Sequence, residues 1–161
     1  MTVFLASPSG DQQLPFGVFF PVFFIGLWLF ISFVISRIGG WNSLASSYRA
    51  QQPFFGTILR FQAASFRFGT NYNGCLNFGA NTEGLHLAPM VIFRAFHAPL
   101  FMPWSEVTAR PVKMWGIFNF IELHFQRAPN VPVRIKPALA GKLTEASVGR
   151  FSVAASVPAG I

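Results

Sequence analysis

Acidic residues are scarce in this chain. Five Asp and Glu stand against twelve Lys and Arg in 161 residues, for a formal net charge of +7. The acids are widely separated in sequence, so no paired-carboxylate chemistry is legible. There is one cysteine, Cys75, which excludes an internal disulfide framework and fits a reducing compartment. Positions 1–15 contain no Lys or Arg, so the basic leader of a cleaved signal peptide is missing. The histidines His86, His97 and His124 lie far apart, without His-x-x-x-His or Cys/His spacing, and a structural role is expected for each. Gly74, Gly79 and Gly84 are turn and strand glycines rather than a phosphate-cradling loop. Cys75 falls in an apolar stretch, where a small buried residue is the ordinary role. The expectation is a chain that is not an enzyme, binds no cofactor or metal and has no nucleic-acid partner. A hydrolase built on Cys75 and a histidine is a third reading.

One long apolar run dominates what is present. Residues 16–38 read FGVFFPVFFIGLWLFISFVISRI, with no charge before Arg37. As a helix this run is roughly 30–35 Å long, enough to cross a bilayer's hydrocarbon core. Pro21 is placed in the first turns, where a missing N–H costs least. Gly26 is tolerated in membrane helices because it allows close packing. Ser32 and Ser36 can return their hydroxyls to the preceding turn. The run is rich in Phe and carries Trp28 in its middle. Two readings stand: lipid-facing bulk, or a contact surface for a membrane partner centred on Gly26, Trp28 and Phe30.

All twelve basic residues lie at or after Arg37. The positive-inside rule therefore sets the N-terminus outside (periplasmic in a bacterium) and the rest in the cytoplasm, with the chain in the inner membrane. Arg37 and Trp41 are expected as interfacial anchors. The layout is a 1–15 tail, a 16–38 span, a 39–53 juxtamembrane segment, a 54–147 domain and a 148–161 tail. Within the juxtamembrane segment, residues 42–50 predict a short helix along the membrane surface, capped by Asn42 or Ser43.

From residue 54 the texture is short β-type runs: 57–61, 65–69, 75–80, 85–90 with 91–96 as its extension, 100–103, 107–113, 117–126 and 131–135. Turns are expected at Asn71–Gly74 and Asn81–Gly84, and a corner at Trp104–Glu106. Residues 137–147 form the domain's helix, with Pro137 in its first turn. Residues 152–161 read as a loose tail. This predicts a small, bent antiparallel sheet or barrel whose open end is covered by the C-terminal helix.

Gly84-Leu85-His86-Leu87, followed by Met102-Pro103-Trp104-Ser105-Glu106-Val107, resembles the core of PH-like and GRAM-like domains. The resemblance covers roughly residues 57–147, and it includes the terminal helix. The whole chain also resembles a set of small bacterial membrane proteins with one N-terminal span, a Gly-Gly-Trp exit and a similar β domain. What the resemblance implies is a fold. Members of that group bind inositol lipids, peptides or proteins. Here Gln62-Ala63-Ala64 stands where the family's basic headgroup loop would lie.

Arg60, Arg67, Arg94, Arg110, Lys113, Arg127, Arg134 and Lys136 are spread over the expected strands. They form either a solvated surface or a docking surface for anionic lipid or an acidic partner. The leading expectation is a non-catalytic accessory or scaffold subunit of a larger integral membrane complex, of photosynthetic or respiratory type. The alternative is a membrane module that binds anionic lipid headgroups.

Overall fold

A computed structural model describes residues 14–154. The expected tails of 1–15 and 148–161 therefore lie largely outside the described residues. The chain divides after Ile31 into two units.

The first unit is most of helix α1, Leu14–Ile38. It is long and apolar enough to cross a membrane, near the N-terminus. The helix begins before residue 16, with Pro21 eight residues into it, and it continues through the proline. Rings one turn apart stack along it, Phe19 on Phe23 at 6.3 Å and Phe20 on Phe24 at 6.4 Å. Regular α geometry places Gly26 and Phe30 on one face but turns Trp28 about 200° away from Gly26. The three residues therefore do not share the single surface expected of them.

The second unit holds the end of α1 and the domain. Helix α2, Trp41–Tyr48, follows at once. Seven strands come next: β1 Thr57–Ser65, β2 Asn71–Ala80, β3 Gly84–Pro89, β4 Leu100–Pro103, β5 Val107–Met114, β6 Phe118–Phe125 and β7 Val133–Ile135. Helix α3, Pro137–Ala146, comes last. The strands make one antiparallel sheet in the order β4-β3-β2-β1-β7-β6-β5. β1 and β7 meet through a single residue pair, Ser65 with Arg134. β1 is also bulged between Leu59 and Ala64, and such irregularities bend a strand. The sheet curls into a half-barrel with β4 and β5 at its edges, compatible with a PH-like fold. Leu139, Ala140 and Leu143 of α3 are buried in its core.

Helix α2 departs from expectation in both place and cap. Its residues Trp41, Leu44, Ala45 and Tyr48 are spaced to share one helical face, and all are buried in the domain core. It is a core element, not a surface float. The N-cap is Gly40 at φ 84°, not Asn42 or Ser43. That conformation favours glycine, and a Cβ there would meet Val131 at 2.8 Å. Trp41 is fully buried, which overturns its reading as an interfacial anchor. Its indole Nε1–H donates to the Ala98 carbonyl at 2.9 Å. Phe66, Tyr72 and His97 surround the ring at 5.5, 5.8 and 5.3 Å.

Other boundaries shift for packing reasons. The chain reverses at a 3-10 turn, Arg67–Gly69, so residues 65–69 are not a strand and Asn71–Gly74 is not the turn. Pairing Ala64 with Tyr72 turns Tyr72 into the core beside Phe66, and leaves Phe68 outside. Residues 91–96 do not extend β3; Val91–Phe93 is a 3-10 turn in a loop. The hairpin at Asn81–Gly84 forms as expected, with Asn81 Oδ1 accepting the N–H groups of Glu83 and Gly84. Beyond α3 the chain is docked as far as Ala154, the last described residue. Phe151 is buried against Trp104 at 5.2 Å, and Ala154 N–H donates to the Ala109 carbonyl.

Replacing Trp41 with alanine is expected to cost about 3–5 kcal/mol, through the cavity and the lost indole bond. Thermal unfolding of the full chain in detergent measures it, and a Tm within a degree of wild type would contradict the placement.

Candidate functional site

The eight basic residues expected to form one docking surface divide into tied and free groups. Glu122 is only 5% exposed; β6 lies between β5 and β7, and side chains from all three strands close over the carboxylate. It accepts from Arg110 at 2.9 Å, Arg134 at 2.8 Å and His124 at 2.7 Å. The register that pairs Arg110 and Arg134 across from Glu122 makes this convergence unavoidable. Burial by itself would raise the Glu122 carboxyl, but the hydrogen bonds from Arg110, Arg134 and His124 outweigh it and hold the group at about 2. Arg127 is committed as well, with its Nε–H on Glu106 at 2.7 Å and its guanidinium over the Tyr48 ring at 4.5 Å. Arg110, Arg127 and Arg134 are therefore structural partners first. Arg67 lies over the Phe68 ring, with its Nε buried and unbonded. Arg60, Arg94, Lys113 and Lys136 are exposed and have no ion pair among the described residues.

The histidines play three separate parts. His97 is buried: its Nδ1–H donates to Ala95 O at 3.0 Å, and its Nε2 accepts from the Tyr72 hydroxyl at 2.9 Å. Burial lowers the His97 pKa, which keeps the ring neutral for these roles. His86 stacks on Phe54 at 4.7 Å, and its Nδ1 is buried without a bond. His124 belongs to the Glu122 network. Cys75 is half-buried on β2, and burial pushes its thiol pKa up, away from the reactive thiolate. Among the described residues no three His, Cys, Asp or Glu side chains gather as metal ligands do.

Two concavities flank α2. The larger, about 700 Å³, lies beneath the linker from α2 to β1 and is lined by Arg49, Gln51, Phe54, Glu83, His86 and Arg127 among others. The smaller, about 400 Å³, opens where the last turns of α1 meet α2 and the β3–β4 loop; Arg37, Arg49 and Arg94 line it with Ser36, Asn42 and His97. No carboxylate lines the smaller one. Backbone bonds hold its walls. The Ser36 hydroxyl donates to Phe96 O at 2.8 Å, and Ala50 N–H to Pro99 O at 2.9 Å. Arg37 is exposed, and its guanidinium lies over the Phe33 ring at 5.2 Å.

Among the exposed apolar side chains of the domain are two groups that sequence reasoning missed. At the β5–β6 hairpin, Trp115 is 85% and Ile117 74% exposed, with Phe118 beside them. Trp115 and Gly116 both adopt positive φ there. In the β3–β4 loop, Val91 is 75% and Ile92 62% exposed, and Phe96 is exposed too. The available signal was an apolar run, Trp-Gly-Ile-Phe, that spans a turn instead of a strand. Comparison with protein-family models, curated proteins and solved structures finds no match for this chain.

Replacing Glu122 with glutamine is expected to destabilise the protein by about 2 kcal/mol, since two guanidiniums and a histidine lose a charged acceptor. The folded-state pKa is depressed, so the wild-type contribution is complete above the ordinary value of 4.5 and is lost as pH falls toward about 2. Denaturation midpoints across that window should fall steeply for wild type and less steeply for the variant.

Proposed function

We propose that this chain is a non-catalytic, single-span protein of the inner membrane that serves as an accessory or scaffold subunit of a larger membrane complex. Its half-barrel is read as a PH-like module on the cytoplasmic side, with the N-terminus outside. The observation that carries the proposal is the exposed hairpin tip of Trp115, Ile117 and Phe118. A soluble domain rarely leaves such a contiguous aromatic patch in water unless a partner covers it. Support comes from its surroundings. The tip caps the edge strand β5, and Lys113, beside it, has no carboxylate partner among the described residues. An apolar surface with an acidic rim on the partner would suit both features. The docking surface is thus moved from the broad basic face, much of which is tied up internally, to the hairpin.

Two experiments test this. With Ser9 replaced by cysteine, a membrane-impermeant maleimide added to intact cells should label the new thiol, and Cys75 should stay unlabelled. The reverse pattern would refute the orientation. Extraction of the full chain in mild detergent should yield a large assembly on native gels, and mass spectrometry should identify its companions. Trp115→Ala combined with Ile117→Ser should release the chain from that assembly without changing its Tm by more than about 1 kcal/mol equivalent. A wild-type chain that migrates as a lone monomer would sink the proposal.

A further inference from the structure

We infer that the concavity bounded by Arg37, Arg49 and Arg94 is a binding site for the phosphate of an anionic phospholipid. The inference rests on reading α1 as a membrane span. Three arginines from three elements line it: Arg37 in the last turn of α1, Arg49 at the end of α2 and Arg94 in the β3–β4 loop. No carboxylate lines the space to neutralise them, and none of the three makes an ion pair among the described residues. Elsewhere in the domain, by contrast, Arg110, Arg127 and Arg134 are held on glutamates. Arginines around one hollow with no carboxylate among them make it electropositive, and an anion is drawn to such a space. Phosphate suits the guanidinium fork, which offers paired donors. Asn42 and Ser36 add polar groups to the same wall.

The neighbouring loop argues for a lipid as the source of that phosphate. Arg37 ends the apolar run of α1, and Phe33 lies one turn earlier, about 6 Å deeper along the axis. Phe96 packs edge-on against Phe33 at 5.4 Å, which sets this part of the loop at the depth where acyl chains begin. Val91 and Ile92 project from the same loop without cover. The loop is not slack. Met90 N–H donates to Cys75 O, His97 N–H to Arg94 O, and the Ser36 hydroxyl to Phe96 O. Apolar side chains held at that level enter the acyl boundary, as the apolar face of an interfacial helix does. Arg94, at the foot of the wedge, then meets the phosphate layer together with Arg37 and Arg49. A free anion would use the arginines but would give the wedge nothing to do.

The test uses the full chain in dodecyl maltoside micelles. Dihexanoyl phosphatidylglycerol, dihexanoyl phosphatidylcholine and inorganic phosphate are titrated separately, and native mass spectrometry counts the bound ligand. The expected result is saturable binding of one phosphatidylglycerol, with phosphatidylcholine at least tenfold weaker and inorganic phosphate weaker still. Removing each arginine should cost about fivefold in affinity, so Arg49→Gln with Arg94→Gln should lose about 25-fold. Lysine at both positions should restore most of it, and Ile92→Ser should weaken phosphatidylglycerol while leaving inorganic phosphate unchanged. Equal binding of the two lipids, or full affinity in the double glutamine variant, would overturn the site. Inorganic phosphate binding as tightly as phosphatidylglycerol would overturn the lipid as its source. Carbonate washing of native membranes separates the two layers of inference. Release of the wild-type chain refutes the span itself, whereas retention with arginine-independent lipid binding refutes only the site.

Discussion

The domain depends on the way one indole is enclosed. Trp41, the third residue after α1, is clasped by Phe66, Tyr72 and His97, and its N–H is taken by the carbonyl of Ala98. These partners come from the β1–β2 turn, from β2 and from the β3–β4 loop. A single side chain therefore joins three stretches of the chain that are distant in sequence. The Tyr72–His97 hydrogen bond satisfies the two polar atoms that would otherwise make such a cluster costly to bury. Because Trp41 follows α1 so closely, the end of that helix and the sheet cannot move independently without opening the core.

That junction explains why polar and apolar groups gather near it. The curled sheet leaves the long β3–β4 connection free to fold back, and Ser36 fastens it to α1 through Phe96 O. Arg37, Arg49 and Arg94 are brought around one hollow as a consequence of the same fastening. At the far side of the sheet the order β7-β6-β5 has a different effect. There the cross-strand register delivers Arg110 and Arg134 to a buried carboxylate. Arg110 and Arg134 are thus consumed internally there, whereas Arg37, Arg49 and Arg94 have no carboxylate partner among the described residues. A strongly basic composition alone says nothing about this division.

Much of the architecture was legible from local pattern. A long, nearly uncharged apolar run reads as a long helix because a helix satisfies its backbone groups within the segment. The Asn81–Gly84 hairpin, the strand carrying Glu122 and the helix after Pro137 were readable because their signals lie within a few residues. The errors share a cause as well. The sequence Asn71–Gly74 has good turn chemistry, yet Tyr72 has to reach the core, so the chain reverses earlier at Arg67–Gly69. Residues 91–96 alternate poorly but are apolar, and only the fold shows them outside rather than in a strand. Trp41 was read at a membrane interface from its position, when the decisive fact was the aromatic cavity assembled from residues 25 to 56 positions later.

Composition and order alone determined that the chain has one long apolar helix, a basic remainder with a single cysteine, and a mainly antiparallel β domain ending in a helix. These properties are sums or short-range periods, and hydrophobic burial acts on them wherever the segment ends up. Tertiary structure decided which arginines are free, where Trp41 goes and which apolar residues stay uncovered. Those outcomes depend on strand register and on contacts between distant segments. Ion pairing falls off within a few ångströms in a solvated protein, so a guanidinium's role is set by its neighbours in space and not by its neighbours in sequence.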